Sequence, residues 1–249
     1  MALTMSLTLK IALSPLLIAQ AIATRRRAPV LPEAAGPREG RVGGGVGVGA
    51  AFRLLMAGDS SAAGVGVANQ DQSVAGHLTR ALHVHSQRPV RWALHARSGL
   101  TTRQVHAMLR DERPAAADVA VVITGVNDVI EQVPSRRAVQ QRAALADWLL
   151  GEGIAAHVVF APLPPIHQFP LLPQPLRRVM GDDARRHNAA LTEWALQRSD
   201  VSCVTIPLTL HAEMMASDGF HPGEPVYRTC GEALARFIAT ELISLEHSA

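Results

Sequence analysis

Five short apolar segments recur along the chain and alternate with longer amphipathic segments. The apolar segments cover residues 52–57, 90–96, 119–124, 156–161 and 201–206. Helical patterns lie near residues 72–86, 101–112, 136–151, 183–198 and 226–245. Because apolar runs of this length are typical of buried strands, the alternation predicts a parallel sheet that helices cover on both faces. Right-handed crossovers favour a three-layer α/β/α, flavodoxin-like fold with strand order 2-1-3-4-5.

The N-terminal region has a different character from the rest of the chain. Residues 5–23 are mostly apolar, but a lysine, a proline and a glutamine interrupt them, and Arg25, Arg26 and Arg27 follow. The interruptions make this segment a poor membrane-spanning helix. Three interpretations stay open: an anchoring helix in the membrane interface, a secretory signal, or a helix packed on the domain. Because the basic cluster follows the apolar segment, we expect a cytoplasmic or inner-membrane-associated protein rather than an exported one.

The positive charge of the chain is concentrated in its first 50 residues. These contain six basic and two acidic side chains, whereas the remaining residues contain 18 basic and 19 acidic ones. A nearly neutral domain argues against a nucleic-acid partner, and the basic region favours contact with a membrane surface through residues 5–27.

Proline and glycine dominate residues 28–50, which predicts a linker. Its glycine run, residues 44–49, precedes the first strand and lacks the lysine of a phosphate-binding loop. We therefore divide the chain into an N-terminal helix over residues 1–27, this linker, and one domain over residues 51–249.

Polar and small residues follow four of the five predicted strands. They are Gly58-Asp59-Ser60, the segment 97–101, Gly125-Val126-Asn127-Asp128 and Asp218-Gly219-Phe220-His221. Because parallel strands end at the same edge of a sheet, we expect these segments to converge.

The residue types at this edge suit ester hydrolysis. That reaction needs a hydroxyl activated by an imidazole, and an acid that fixes the tautomer of the imidazole. Ser60, His221 and Asp218 supply these groups. The developing oxyanion needs preorganised donors, for which the N–H of Ser60, a backbone N–H such as that of Gly99 and the side-chain amide of Asn127 are suitable.

Together these four segments resemble the SGNH (GDSL-type) hydrolase family, in the same order and over about residues 52–225. The resemblance implies that Ser60 is the nucleophile, His221 the base and Asp218 its partner. It also implies that Ser60, Gly99 and Asn127 donate to the oxyanion. The usual leucine after the serine is Ser61 here, a difference that affects packing more than chemistry.

Each of these residues also has a structural interpretation. Ser60 could cap a helix, and Asn127 and Asp128 could form a turn after a strand. His221 could be a surface histidine. We expect Asp128 to hold its own loop, and Asp59 to support the loop rather than react.

The segment 162–175 follows the fourth strand and combines prolines with apolar side chains. Long loops of this kind are often functional. Phe169, Leu171, Leu172 and Phe220 are candidates for substrate binding, although loop residues could equally anchor the loop to the domain.

Cys203 and Cys230 could form a disulfide, but two cysteines are more typical of buried free thiols. We predict no metal and no cofactor, because no histidine or cysteine spacing is typical of a metal site.

The sequence predicts a serine esterase for short- or medium-chain acyl esters. Alternatives are a lysophospholipase or thioesterase, a carbohydrate O-deacetylase, and a non-catalytic lipid-binding adaptor.

Overall fold

Six strands form one sheet in the computed structural model, which describes residues 7–44 and 50–243. The strands are β1 (Glu39–Val42), β2 (Phe52–Gly58), β3 (Val90–Ala96), β4 (Ala117–Ile123), β5 (Ala155–Phe160) and β6 (Val201–Cys203). Their order across the sheet is β1-β3-β2-β4-β5-β6. Strands β2 to β6 are parallel, and their order confirms the predicted 2-1-3-4-5 arrangement.

The strand β1 was not predicted, because it lies inside the segment 28–50 that was interpreted as a linker. It pairs antiparallel with β3 and forms one edge of the sheet. The side chains of β1 are exposed or half-exposed, so it lacks the apolar run that marked the other strands. Gly40 lies under Trp92 of β3, whose Nε1 would be 3.1 Å from a Cβ at that position. The sheet therefore begins before residue 51, where the predicted domain begins. Residues 45–49 of the predicted linker lie outside the described residues.

Helices cover both faces of the sheet, as predicted. They are α3 (Val74–Ser86), α4 (Thr102–Glu112), α5 (Val126–Ile130), α6 (Ser135–Gly151), α7 (Leu176–Ala195) and α8 (Glu224–Phe237). A π-helical segment, Ile238–Ile243, continues α8, and the last residues of the domain lie outside the described residues. The helix α7 begins seven residues earlier than predicted, and the short α5 was not predicted.

Alternate residues of β2 enter two separate apolar cores. Leu54 and Met56 pack with α3 and α8, whereas Leu55 and Ala57 pack with α4, α6 and α7. A strand buried on both faces needs apolar residues at every position, which explains the continuous run in the sequence.

The N-terminal region forms two helices, α1 (Leu7–Ala12) and α2 (Ser14–Arg27), and residues 1–6 lie outside the described part. Leu17 is 9% exposed and packs in the apolar cluster around α7. Lys10 forms an ion pair of 2.6 Å with Asp183 of α7. The side chain of Gln20 donates to the carbonyl oxygen of Gln174 over 2.7 Å. None of the helices described is both long enough and apolar enough to span a membrane.

Candidate active site

The end of β2 places Ser60 at the carboxyl edge of the sheet. Gly58, the last residue of β2, is aligned with Ala96 at the end of β3 and with Ile123 at the end of β4. A Cβ at Gly58 would lie 2.0 Å from the carbonyl oxygen of Ile123, so the strands can end this close together only because residue 58 is glycine. The N–H of Asp59 donates to the same carbonyl oxygen over 3.1 Å, and the chain then turns at Ser60.

A series of hydrogen bonds joins Ser60, His221 and Asp218. The Nε2 atom of His221 lies 3.1 Å from Oγ of Ser60, and its Nδ1 atom lies 2.5 Å from Oδ2 of Asp218. The other carboxylate oxygen accepts the backbone N–H groups of Phe220 and His221, both over 2.9 Å. Burial raises the pKa of the Asp218 carboxyl, but the hydrogen bonds outweigh burial and hold this pKa below its usual value. The ionised carboxylate accepts the proton on Nδ1, so Nε2 can accept the proton of the serine hydroxyl.

Aromatic and backbone contacts hold the turn that carries His221. The ring of Phe220 lies edge-to-face against the imidazole of His221, with 5.2 Å between the ring centroids. On its other side it meets Phe169 at 5.1 Å, also edge-to-face. The N–H of Leu171 donates over 3.0 Å to the carbonyl oxygen of Gly219, which has a φ of +64°. Of the four residues predicted to bind substrate, Phe220 therefore lies in this turn, and Phe169 and Leu171 contact it.

Two of the predicted oxyanion donors, Ser60 and Gly99, follow β2 and β3, and the third, Asn127, lies in the first turn of α5, after β4. Gly99 is exposed and has a φ of +81°, with no heavy atom of the described chain within 4 Å of a Cβ built there. Asn127 donates one side-chain N–H to the carbonyl oxygen of Leu100 over 3.0 Å, which fixes the orientation of its amide. An amide nitrogen carries two hydrogens, so a second N–H remains for a ligand.

A buried arginine supports the connection between β4 and α5, the helix that carries Asn127. Arg142 of α6 is fully buried, and its Nη2 atom donates to the carbonyl oxygen of Thr124 over 3.2 Å. The same atom lies 3.7 Å from the carboxylate of Asp128, which is also fully buried. Gly125 has a φ of +128°, and a Cβ there would lie 1.9 Å from Nη2. The loop is therefore built around the guanidinium group.

Asp128 also ties this loop to the start of α4. Its Oδ1 accepts the backbone N–H of Thr102 over 3.0 Å, and its Oδ2 accepts the hydroxyl of Thr102 over 2.5 Å. These contacts agree with the structural role expected for Asp128. The helical pattern could have revealed Arg142 as well, because residues 138, 142, 145 and 149 share one face of α6 and the other three are apolar.

Asp59 is 1% exposed and lies next to the nucleophile candidate. Its Oδ1 accepts the N–H of Ser61 over 3.0 Å, which supports the turn. Burial, with a smaller contribution from the negative charge of Asp128, raises the pKa of Asp59 from 3.8 to about 7.

Residues before the first predicted strand hold the loop that contains Gly99, and sequence reasoning missed them. The carboxylate of Glu33 accepts the N–H of Ser98 over 2.6 Å and pairs with Arg38. Arg38 in turn donates to the carbonyl oxygen of Ala96 over 2.5 Å. Burial raises the pKa of Glu33, but these contacts more than offset it and lower the pKa overall. In the sequence, both charged residues resemble ordinary solvated linker residues.

A largely apolar cavity of about 340 Å³ lies beside the same edge. Its wall includes Asp59 and Ser61, which flank Ser60, and Pro222, which follows His221. Segment 162–165, α7, α8 and the residues after β6 form most of the remaining wall, to which α3, α5 and the end of β4 also contribute.

None of the four predicted substrate residues lines this cavity, and two of them lie in the core. Phe169 and Leu172 are 2% and 4% exposed, and they pack in the apolar cluster beneath the loop. Cys203 and Cys230 are free thiols, and both line the cavity. Within the described ranges, no group of three or more metal-ligating side chains is found.

A mostly parallel α/β/α sheet with these four loops at its carboxyl edge defines the class of the SGNH (GDSL-type) hydrolases. Residues 56–229 match the model of the GDSL-like Lipase/Acylhydrolase family. The chain therefore belongs to this family. No curated protein sequence matches it.

Solved structures share this fold at low sequence identity. The lipase Lip_vut3 from a goat rumen metagenome is 18% identical and superposes with a TM-score of 0.63, over 76% of this chain and 97% of that protein. The family 3 carbohydrate esterase of Clostridium thermocellum is 15% identical, with a TM-score of 0.60 over 79% of this chain and 99% of its own. TesA is 24% identical, with a TM-score of 0.54 over 75% and 97% of the two chains.

Proposed function

We propose that the protein is a serine hydrolase that cleaves carboxylic esters through an acyl-enzyme. The observation that carries this proposal is the unbroken series from Oγ of Ser60 through the imidazole of His221 to the carboxylate of Asp218, with distances of 3.1 and 2.5 Å. A serine that only capped a helix would not need an imidazole oriented by a buried carboxylate. Membership of an esterase and lipase family supports the same conclusion.

The geometry supports a two-step reaction. Ser60 attacks the ester carbonyl carbon while Nε2 of His221 takes the hydroxyl proton, and Asp218 stabilises the imidazolium that forms. The backbone N–H groups of Ser60 and Gly99 and the amide of Asn127 stabilise the oxyanion. The protonated His221 then gives its proton to the leaving alcohol. In deacylation the same imidazole activates a water molecule, which releases the acid and restores Ser60.

The apolar cavity, whose wall includes the sequence neighbours of Ser60 and His221 but not these two residues themselves, is the feature that favours an acyl group longer than acetate. Transfer of a straight acyl chain from water into an apolar cavity is favourable by about 0.8 kcal/mol for each buried methylene group. Thioesters and lysophospholipids carry such chains, so they are the second candidate substrates. Carbohydrate O-deacetylation is the third candidate, because two of the similar structures are carbohydrate or acetylxylan esterases.

A series of p-nitrophenyl esters from acetate to dodecanoate tests the proposal. We expect hydrolysis with a maximum at short or medium chain length, and a loss of at least about 10³-fold in kcat for Ser60→Ala. Ser61→Ala is the matched control, because it removes the neighbouring hydroxyl and leaves the hydrogen-bond series intact. Hydrolysis that survives in Ser60→Ala would refute the mechanism. An inactive wild-type protein would instead favour a lipid-binding adaptor.

A further inference from the structure

The helix α2 has two faces with different environments. Its inner face is attached to the domain through Leu17, which is 9% exposed, and through the hydrogen bonds of Gln20. Its outer face presents Ile18 and Ile22, which are 60% and 48% exposed and lie one helical turn apart. Ile11 of the preceding helix adds a side chain that is 64% exposed. The isoleucines are therefore not needed to hold the helix on the domain.

Exposed apolar side chains occur singly on most proteins, but several on adjoining helices mark a binding surface. Leu16, 46% exposed, lies about 160° around the axis of α2 from Ile18 and is not part of this surface. We call the surface formed by Ile11, Ile18 and Ile22 the α2 patch.

Positive charge lies at one end of the α2 patch. Arg25, Arg26 and Arg27 form the last turn of α2 and are exposed, and no acidic partner is found for them in the part of the chain that the structure describes. The first acidic residue of the sequence is Glu33, so residues 1–32 carry only basic charges. A protein partner with the same composition, such as a second copy, would bring like charges together. An anionic lipid headgroup layer would attract them, by about 1 kcal/mol for each arginine.

We propose that the α2 patch docks on an anionic lipid surface. The isoleucine side chains enter the boundary between headgroups and acyl chains, and the three arginines contact the headgroup phosphates. The helix lies on the membrane in this arrangement, since none of the described helices could span one.

The attachment of α2 links this helix to the segment that supports the histidine turn. Gln20 donates to the carbonyl oxygen of Gln174 and accepts the N–H of Leu176, at the end of segment 162–175. Within that segment, Leu171 donates to Gly219 of the turn. A docked helix would therefore hold the segment that supports His221 near the lipid.

Vesicle co-sedimentation of the full-length Ser60→Ala protein tests the proposal without any hydrolysis of the lipid, so its outcome is independent of the proposed function. We expect binding to phosphatidylcholine vesicles that contain about one third phosphatidylglycerol, and binding at least about 10-fold weaker to phosphatidylcholine alone. The double variant Ile18→Asp/Ile22→Asp should lose the binding. Replacing Arg25, Arg26 and Arg27 with serine should weaken it and remove its dependence on salt.

The matched control is Val84→Asp/Leu196→Asp, which adds two charges at apolar side chains that are 63% and 81% exposed elsewhere. It should bind vesicles like the parent protein, and unchanged thermal unfolding shows that each variant is folded.

Equal vesicle binding by the isoleucine variant and the control would overturn the proposal. Failure of the full-length protein to bind anionic vesicles would also overturn it. A dimer that Ile18→Asp/Ile22→Asp dissociates, without lipid binding, would identify the α2 patch as a contact between copies. A mature protein that lacks residues 1–23 by mass spectrometry would identify them as a signal and also overturn the proposal.

Discussion

Replacement of Asp59 by asparagine tests whether burial of charge beside the nucleophile costs stability. Asp59 is 1% exposed, and burial raises its pKa from 3.8 to about 7. Asparagine has nearly the same shape, and its carbonyl oxygen can still accept the N–H of Ser61. The substitution therefore removes the titration and keeps the hydrogen bond that supports the turn.

The sign of the effect follows from the direction of the pKa shift. Between pH 3.8 and about 7 the folded protein keeps the proton on Asp59, whereas the unfolded chain loses it. The free energy of unfolding therefore falls as pH rises through this window, and it is constant with respect to this group above the window. A rise of the Asp59 pKa from 3.8 to about 7 corresponds to about 4 kcal/mol. At the acid end of this window, the free energy of unfolding of Asp59→Asn should be close to that of the wild type. At about pH 8 it should be higher than that of the wild type, by up to about 4 kcal/mol.

Urea unfolding of both proteins across this pH range measures the difference. We expect the stability difference in favour of Asp59→Asn to grow steadily with pH, with similar m-values for the two proteins. Asp111→Asn is the matched control, since Asp111 is exposed, and its effect should stay small at every pH. A difference that does not change with pH, or a variant less stable than wild type at high pH, would refute the reasoning.

Three further experiments test the site. Asp218→Asn leaves His221 without its orienting carboxylate, so kcat for a p-nitrophenyl ester should fall by about 10⁴-fold with little change in KM; a loss below about 10-fold would contradict the assigned role. Asn127→Ala removes one oxyanion donor and should lower kcat by about 10²- to 10³-fold in the same assay, and an unchanged kcat would exclude the amide from the oxyanion site. Arg142→Met leaves the carboxylate of Asp128 buried and unpaired, so the free energy of unfolding should fall by about 3–5 kcal/mol in urea. Adding Asp128→Asn should cost less than the sum of the two single changes, and strict additivity would argue against the pair.

The parallel sheet could be predicted because its central strands are buried on both faces. Leu54 and Met56 enter one core while Leu55 and Ala57 enter the other, so the sequence shows an unbroken apolar run. The edge strand β1 has no such run, since solvent covers most of its side chains. Its pairing depends on the exposed edge of β3, which no local pattern in residues 39–42 could indicate.

The candidate site could be predicted where its residues follow strands, and could not where they come from elsewhere. Ser60 and Asn127 lie just after the apolar runs of β2 and β4. Because these strands are parallel neighbours, the topology of the sheet brings the two residues to the same edge. Glu33 reaches the loop of Gly99 from a segment that the sequence shows only as proline- and glycine-rich. The cavity could not be predicted either, because its wall combines several elements that are distant in sequence.

The loops at the carboxyl edge are held by charges that are costly to bury. Arg142 and Asp128 are fully buried, so both charges lose their hydration when the chain folds. The opposite charge and the surrounding polar backbone groups offset this loss. The same contacts fix the start of α5, where Asn127 lies, so substitutions here should change stability and turnover together. The α2 patch shares none of these side chains, and its isoleucines face away from the domain. Lipid binding and ester hydrolysis can therefore be altered separately, and substitutions in the α2 patch should leave turnover of soluble esters unchanged.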